Sequence, residues 1–249
     1  MKYFFIEESK KLKLMSVVNI SGSDARHIKN VLRLVPDDII GLFDGTGTEY
    51  EARITEFFKT SVKLTVTQRS KKKIAPKIQL DIAQALLKDR KMDGLIRQLT
   101  ELGISSFSPF ISHRSVPRPD KNRLFLRAQR WDKITRESLK QCRRGYLMTI
   151  KEIVSFENML NCAAKSDLKI AFWEDATEPI RSVVDLTNTA AVKRIFAMLG
   201  PEGGFTSEEI NMAKEAGFVT ASLGPRILRA ETATVTACAL LQYLFGDIG

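Results

Sequence analysis

From residue 78 onward, short apolar runs alternate with helical patterns, and that alternation limits the possible fold more than any other feature of the chain. The strand-like runs are Ile78–Ala83, Ser106–Ile111, Leu168–Trp173, Arg194–Leu199 and Phe218–Leu223. The helical patterns are Lys88–Leu102, Lys121–Cys142, Ser155–Ala163, Ser207–Ala216 and Glu231–Phe245. Parallel strands need a crossover long enough to hold a helix, so the pattern predicts an α/β domain with a mostly parallel, helix-covered sheet.

The first 70 residues follow a different rule. Runs at Tyr3–Ile6, Met15–Ile20, Asp38–Phe43, Tyr50–Phe57 and Ser61–Gln68 are separated by turn signals, which predicts a small β-barrel. Asp44-Gly45-Thr46-Gly47 reads as a hairpin loop, because glycine accepts positive φ. One helix interrupts the strands, with Ser23 or Asp24 as N-cap, an apolar face of Ile28, Val31, Leu32 and Val35, and Arg26, His27 and Arg33 on the polar side. The charged, proline-containing segment Ser70–Lys77 reads as a linker. The predicted domains are therefore 1–70 and 71–249.

At 249 residues, 44% apolar and 27% charged, the chain has the composition of a protein with a sizeable core rather than a disordered one. Cys142, Cys162 and Cys238 are too scattered for a disulfide framework or zinc site, which points to a reducing compartment and no metal. Met1–Leu14 breaks its apolar patch with Glu7, Glu8 and lysines, so it lacks a secretory core, and no run is long enough to span a membrane. The expected location is cytoplasmic.

The net charge of +10 is concentrated rather than spread. Arg114, Arg118, Lys121, Arg123, Arg127, Arg130, Lys133, Arg136, Lys140, Arg143 and Arg144 face only Asp120, Asp132 and Glu137 over the same stretch. On a helix, Arg123, Arg127, Arg130, Lys133 and Arg136 form a basic stripe beside Leu124, Leu126, Trp131 and Ile134. Such a stripe suits a nucleic-acid backbone through counterion release, with an acidic protein or a membrane surface as alternatives.

Two glycine-bearing loops leave strands and enter helices. The first is Leu199-Gly200-Pro201-Glu202-Gly203-Gly204-Phe205, followed by Thr206 and Glu209 at capping-box spacing. The second is Leu223-Gly224-Pro225-Arg226-Ile227-Leu228-Arg229-Ala230-Glu231-Thr232-Ala233. In α/β sheets ligands bind beyond the carboxyl ends of the strands, and glycine lets them approach the backbone. Neither loop matches a dinucleotide fingerprint or a Walker A loop, and His27 and His113 are the only histidines.

The strings Gly200–Phe205 and Leu223–Ala233 resemble signatures of the bacterial 16S ribosomal RNA uridine-N3 methyltransferases, within the SPOUT superfamily of knotted methyltransferases. The resemblance extends to Lys88-Asp89-Arg90, Thr100-Glu101-Leu102-Gly103, His113-Arg114-Ser115, and Arg26-His27-Ile28 with Val31-Leu32-Arg33, so it runs through essentially the whole chain. It implies a PUA-like RNA-binding barrel, a SPOUT domain with a trefoil knot, and a homodimer. It also implies S-adenosylmethionine held by Leu199, Gly200, Pro201, Gly203, Gly204, Leu223, Gly224, Ile227 and Leu228. The implied partner is 16S ribosomal RNA in the small ribosomal subunit, with Arg26, His27, Arg33, Lys88, Arg114, Arg123, Arg127, Arg130, Arg136 and Arg144 assigned to RNA.

Methylating a uridine nitrogen requires in-line positioning and stabilisation of the negative charge that spreads onto the uracil carbonyl oxygens as N3 loses its proton. Arg229 is the first candidate for that stabilisation and Arg226 the second, the alternative for each being an ion pair with Glu202 or Glu231. Glu202 and Glu231 are the candidate bases. Phe205 is a candidate wall for an extruded base, or equally a core residue. The competing functions are methylation elsewhere in RNA, such as a ribose 2′-oxygen, and a non-catalytic RNA-binding or ribosome-assembly factor.

Overall fold

The computed structural model describes residues 1–6, 12–69, 75–118, 120–142, 144–185, 187 and 189–249. Glu7 and Glu8, most of the linker reading over Ser70–Lys77, Arg143, and the side chain of Lys121 lie outside the described residues. The chain divides into two units, Met1–Ala75 with Leu139–Leu147, and Pro76–Ser138 with Met148–Gly249.

The first unit is built from β1 (Tyr3–Phe5), β2 (Val17–Ser21), β3 (Ile39–Phe43), β4 (Glu49–Phe57) and β5 (Ser61–Arg69), paired in the order β1-β3-β4-β5-β2. All of these pairs are antiparallel except β1 with β3. Strand periodicity accounts for the core: Tyr50, Ala52 and Ile54 of β4 and Val62, Leu64 and Val66 of β5 point inward, joined by Val18, Ile20, Ile40 and Leu42. Between β3 and β4, Asp44 Oδ1 accepts from the Thr46 N–H and hydroxyl at 2.8 Å, and Gly45 and Gly47 take positive φ.

The helix after β2 departs from the sequence pattern. It runs only from Gly22 to Arg26 as α1 and continues as a single π-helical turn, His27–Val31. Its N-cap position is Ser21 rather than Ser23 or Asp24, and Asp24 instead binds Lys140 Nζ at 3.0 Å. Ile28 is buried, but Val31 is 66% and Val35 58% exposed. The wider turn shifts the phase of the apolar face, and Arg33 at φ +51° breaks the helix before Val35, so Ala25 and Leu34 fill the places expected for the valines.

The second unit holds a seven-stranded parallel sheet: β6 (Gln79–Ala85), β7 (Ser106–Ile111), β8 (Thr149–Ile150), β9 (Val154–Ser155), β10 (Leu168–Phe172), β11 (Arg194–Leu199) and β12 (Val219–Ala221). The main path is β12-β10-β11-β6-β7-β8, with β9 also on β7. Its helices are α2 (Lys91–Glu101), α3 (Lys121–Cys142, which reaches into the other unit's residue range), α4 (Phe156–Cys162), α5 (Ile180–Asp185), α6 (Ser207–Glu215) and α7 (Ala230–Phe245).

Alternate residues of each central strand serve opposite faces. Ile195, Ala197 and Leu199 of β11 join a core with Leu95, Ile96 and Leu99 of α2 and Ala237, Cys238 and Leu241 of α7. Phe196 and Met198 join a second core with Met159 of α4 and Ile210 and Ala213 of α6. Burial on both faces explains why these strands read as continuous apolar runs. Burial also pushes the Cys238 thiol up, so it behaves as a small core residue.

Along α3 the expected apolar set splits. Trp131 is buried, with its indole N–H donating to Asp93 at 3.2 Å, whereas Leu126 is 62% exposed, beside an exposed Phe125. Thr135 and Ser138 take buried positions by returning their hydroxyls to the carbonyls of Trp131 and Ile134, at 2.9 Å each. The buried face is therefore more polar than the periodicity of large apolar residues implied.

Candidate active site

Beyond the carboxyl ends of β10, β11 and β12 lies a cavity of about 780 Å³, within the range of small-molecule sites. Three segments line it: Phe172, Trp173, Glu174, Ala176, Thr177 and Pro179; Leu199–Glu202 with Gly204; and Ser222–Ala230, with Lys91 and Ala233 closing it. All belong to the second unit.

The first glycine loop is tied down on every side. Its turn closes with the Gly204 N–H on the Pro201 carbonyl at 3.0 Å and Gly204 at φ +68°. Thr206 and Glu209 then form the capping box that starts α6. Glu209, buried, also accepts the His113 N–H at 2.9 Å. Arg114 Nη1 donates to the carbonyls of Gly203 (2.8 Å) and Phe205 (3.3 Å). Gln84, fully buried at the end of β6, donates to the Gly200 and Ala85 carbonyls at 2.9 and 3.0 Å and accepts from the Thr234 hydroxyl of α7.

The second loop carries its charge outward. Gly224, at φ +107°, donates its N–H to Ser222 Oγ at 3.2 Å, and the chain then runs to Arg229, whose extended backbone precedes α7 without a side-chain cap. Arg226 and Arg229 are exposed and line the cavity, and neither has an acidic partner among the described residues. Ile227 is 91% exposed.

The two candidate bases are both engaged by a residue the sequence reading passed over. Lys91 Nζ lies 3.2 Å from Glu202 Oε1 and 3.4 Å from Glu231 Oε2, and Glu202 also accepts the Lys88 N–H at 3.1 Å. Burial pushes the Glu202 carboxyl up, but backbone hydrogen bonds and Lys91 outweigh it and hold the group below the usual carboxylate range. Hydrogen bonding to Glu202 in turn holds the Lys91 ammonium above its ordinary value.

Of the residues assigned to a cofactor, Leu199, Gly200, Pro201, Gly204, Leu223, Gly224, Ile227 and Leu228 meet at the cavity; Gly203 does not line it, its carbonyl being held by Arg114. Glu231 does not line the cavity and is ion-paired to Lys91, which does. Phe205 is a core residue, stacked on Phe110 at 6.4 Å between ring centres and edge-on to Phe156. The segment after β10 carries no glycine and no motif; its only sequence signal is its place at the carboxyl end of a predicted strand.

Of the residues assigned to RNA, Arg26, His27 and Arg33 are exposed on the first unit and Arg144 is half-buried there, while the remainder lie in the second. The stripe on α3 is less free of acids than its local sequence implies. Arg123 pairs with Asp120 at 3.5 Å, Arg136 with Asp132 at 2.9 Å, and Arg130 with Asp93 of α2, which lies far away in sequence. Arg127 and Lys133 have no ion-pair partner among the described residues.

A family model described as an RNA methyltransferase domain matches residues 73–242, and one described as an RNA methyltransferase PUA domain matches residues 20–67. A ribosomal RNA small subunit methyltransferase E of Bacillus subtilis is 29% identical, over 98% of this chain and 96% of that one. A ribosomal RNA small subunit methyltransferase E from Neisseria gonorrhoeae, crystallised bound to S-adenosyl methionine, superposes with a TM-score of 0.87 at 28% identity, covering 100% of both chains. A Legionella pneumophila protein in complex with the bound cofactor SAM gives a TM-score of 0.88 at 26% identity, again covering 100% of both. An α/β parallel-sheet domain preceded by a PUA-like domain, with the first family model spanning most of its length, makes this chain a member of the RNA methyltransferase family.

Proposed function

We propose that the protein transfers the methyl group of S-adenosylmethionine to N3 of a specific uridine in the 16S ribosomal RNA of the small ribosomal subunit. The observation that carries this reading is the convergence of both glycine loops on one cavity in a member of this family, two of whose structural neighbours hold S-adenosylmethionine. The residues fit that group. Leu199, Leu223, Leu228 and Phe172 supply apolar walls, and Gly200, Gly204 and Gly224 bring bare backbone to the cavity. Bound there, S-adenosylmethionine supplies an electrophilic methyl group on a sulfonium.

The chain's own residues then have three tasks. The first loop, fixed by Gln84, Arg114 and the capping box, positions the donor, since alignment contributes much of the rate in a displacement of this kind. Arg229, with Arg226 beside it, stabilises the negative charge on the uracil carbonyl oxygens; its freedom from acidic partners supports that role. Glu202 stays ionised and engaged with Lys91, which makes it a weak base for the N3 proton.

RNA docking is assigned to the basic residues of α3, with Arg127 and Lys133 the least compensated, and to Arg26, His27 and Arg33 of the PUA-like domain. The reading includes a trefoil knot and a homodimer. Incubation with labelled S-adenosylmethionine and unmethylated small subunits, followed by nucleoside mass spectrometry, tests the reaction. N3-methyluridine is the expected product; a 2′-O-methylated nucleoside moves the acceptor to ribose, and no label despite cofactor binding removes this acceptor altogether.

A further inference from the structure

We infer that the carboxylate of Glu174 recognises the positively charged portion of the methyl donor, a role that rests on the donor proposed above. Two carboxylates line the cavity, Glu174 and Glu202. Glu202 is committed to Lys91 and the Lys88 N–H. Glu174 has neither a cation nor a hydrogen-bond donor as partner among the described residues.

The backbone that bears this exposed residue is fixed. The Trp173 N–H bonds the Ala221 carbonyl at 3.1 Å, the Ala176 N–H bonds the Trp173 carbonyl at 3.2 Å, and the Ser222 N–H bonds the Glu178 carbonyl at 2.8 Å, so the segment bearing Glu174 is pinned to β12 and to the start of the second loop. The carboxylate rests directly on Gly204, where an added Cβ would meet Oε1. Gly204, which takes positive φ, presents bare backbone to this acid at the seam between the first loop and the segment after β10.

A ligand that displaces water from this carboxylate without offering it a donor would leave a charge unsatisfied, which is costly. S-adenosylmethionine carries two cationic centres, the sulfonium and the α-ammonium, against one carboxylate. The free arginines of the second loop are kept for the acceptor, and the free acid of the third segment meets the donor's cationic centres. A charge-assisted contact of this kind discriminates between ligands by charge at nearly constant shape.

The test is calorimetric binding by the full-length protein and its Glu174→Gln variant of three ligands: S-adenosylmethionine, S-adenosylhomocysteine, which lacks the sulfonium, and 5′-methylthioadenosine, which lacks both cations. The expected result is a loss of about tenfold or more for S-adenosylmethionine in the variant, with 5′-methylthioadenosine unchanged. A matching loss for S-adenosylhomocysteine identifies the ammonium as the partner, and no such loss identifies the sulfonium; either supports the role. Glu174→Asp, which keeps the charge, restores part of the preference. Unchanged S-adenosylmethionine binding, or an equal loss on all three ligands, overturns the inference. A wild-type protein that binds none of the three overturns the donor assignment itself, and this role with it.

Discussion

The two glycine loops reach the same cavity but are held in opposite ways. The loop after β11 is bonded by Gln84 from the sheet, Arg114 from the segment after β7, the Lys88 N–H, and its own capping box. The loop after β12 leaves Arg226 and Arg229 unpaired among the described residues, starts α7 without a side-chain cap, and exposes Ile227. A fixed backbone suits positioning, whereas cations not already neutralised by an acid suit a group whose charge develops only during reaction. Under the proposed function, the first loop is the one suited to positioning and the second the one suited to charge stabilisation.

The largest test of that division is Arg229→Ala. Loss of a donor aimed at developing charge lowers turnover by roughly 10²–10³-fold, while S-adenosylmethionine affinity measured by calorimetry stays within about twofold of wild type. An affinity loss as large as the loss of rate would put Arg229 on the cofactor instead and erase the contrast between the loops.

Gln84→Leu should give the reverse pattern. Removing the amide takes the donor from the part-buried Gly200 carbonyl, while the Thr234 hydroxyl keeps the Ala230 carbonyl at 2.8 Å, at a cost of about 1–3 kcal/mol in unfolding free energy. Because the first loop then shifts, S-adenosylmethionine affinity falls together with the rate. An unchanged denaturation midpoint with normal cofactor binding would show that this tie does not hold the loop.

These contrasts explain which parts were legible in the sequence. Five strands of the second unit were readable as apolar runs, most clearly the central ones buried on both faces, and the start of α6 because Thr206 and Glu209 form a local signal, whereas the two-residue β8 and β9 are too short to leave a pattern. Local patterns failed where the determining contact is distant. Asp93 reaches Arg130 from another helix, Gln84 reaches Gly200 across 116 residues, and Lys91 joins Glu202 to Glu231, so none of these pairings leaves a trace in spacing. The valines at 31 and 35 failed for another reason, since a π-helical turn breaks the 3.6-residue phase on which the reading depended. Glu174 was invisible because a lone acid beyond a strand has no motif; only the cavity and Gly204 give it meaning.

A smaller effect comes from the capping box. Thr206→Ala removes the acceptor for the Glu209 N–H at 3.2 Å and should lower unfolding free energy by about 1 kcal/mol. Thr206→Ser keeps the oxygen and should recover most of it. Equal losses in the two variants would mean that the threonine methyl, rather than the cap, fixes the loop.

The smallest effect concerns the one ion-paired cluster among the described residues that joins the two loops' ends. Glu202 follows the first loop's proline, Glu231 opens the helix after the second, and Lys91 bridges them. The Glu202 pKa is depressed in the folded protein, so its contribution to stability is present above its unfolded value of about 4.3 and disappears as pH falls through the lower folded value. The Lys91 pKa is raised, so its contribution is present below about 10.4 and disappears as pH rises through the higher folded value. Between those limits the cluster is intact, and solvent screening of its partly exposed side chains keeps the gain below that of the cap. Urea midpoints of wild type and Lys91→Met measured across pH should therefore differ by a constant small amount near neutrality and converge at both extremes. A gap that persists unchanged into acid would show that the effect of Lys91 does not run through ionised Glu202, leaving Gln84 as the tie that holds the fixed loop to the helix of the free one.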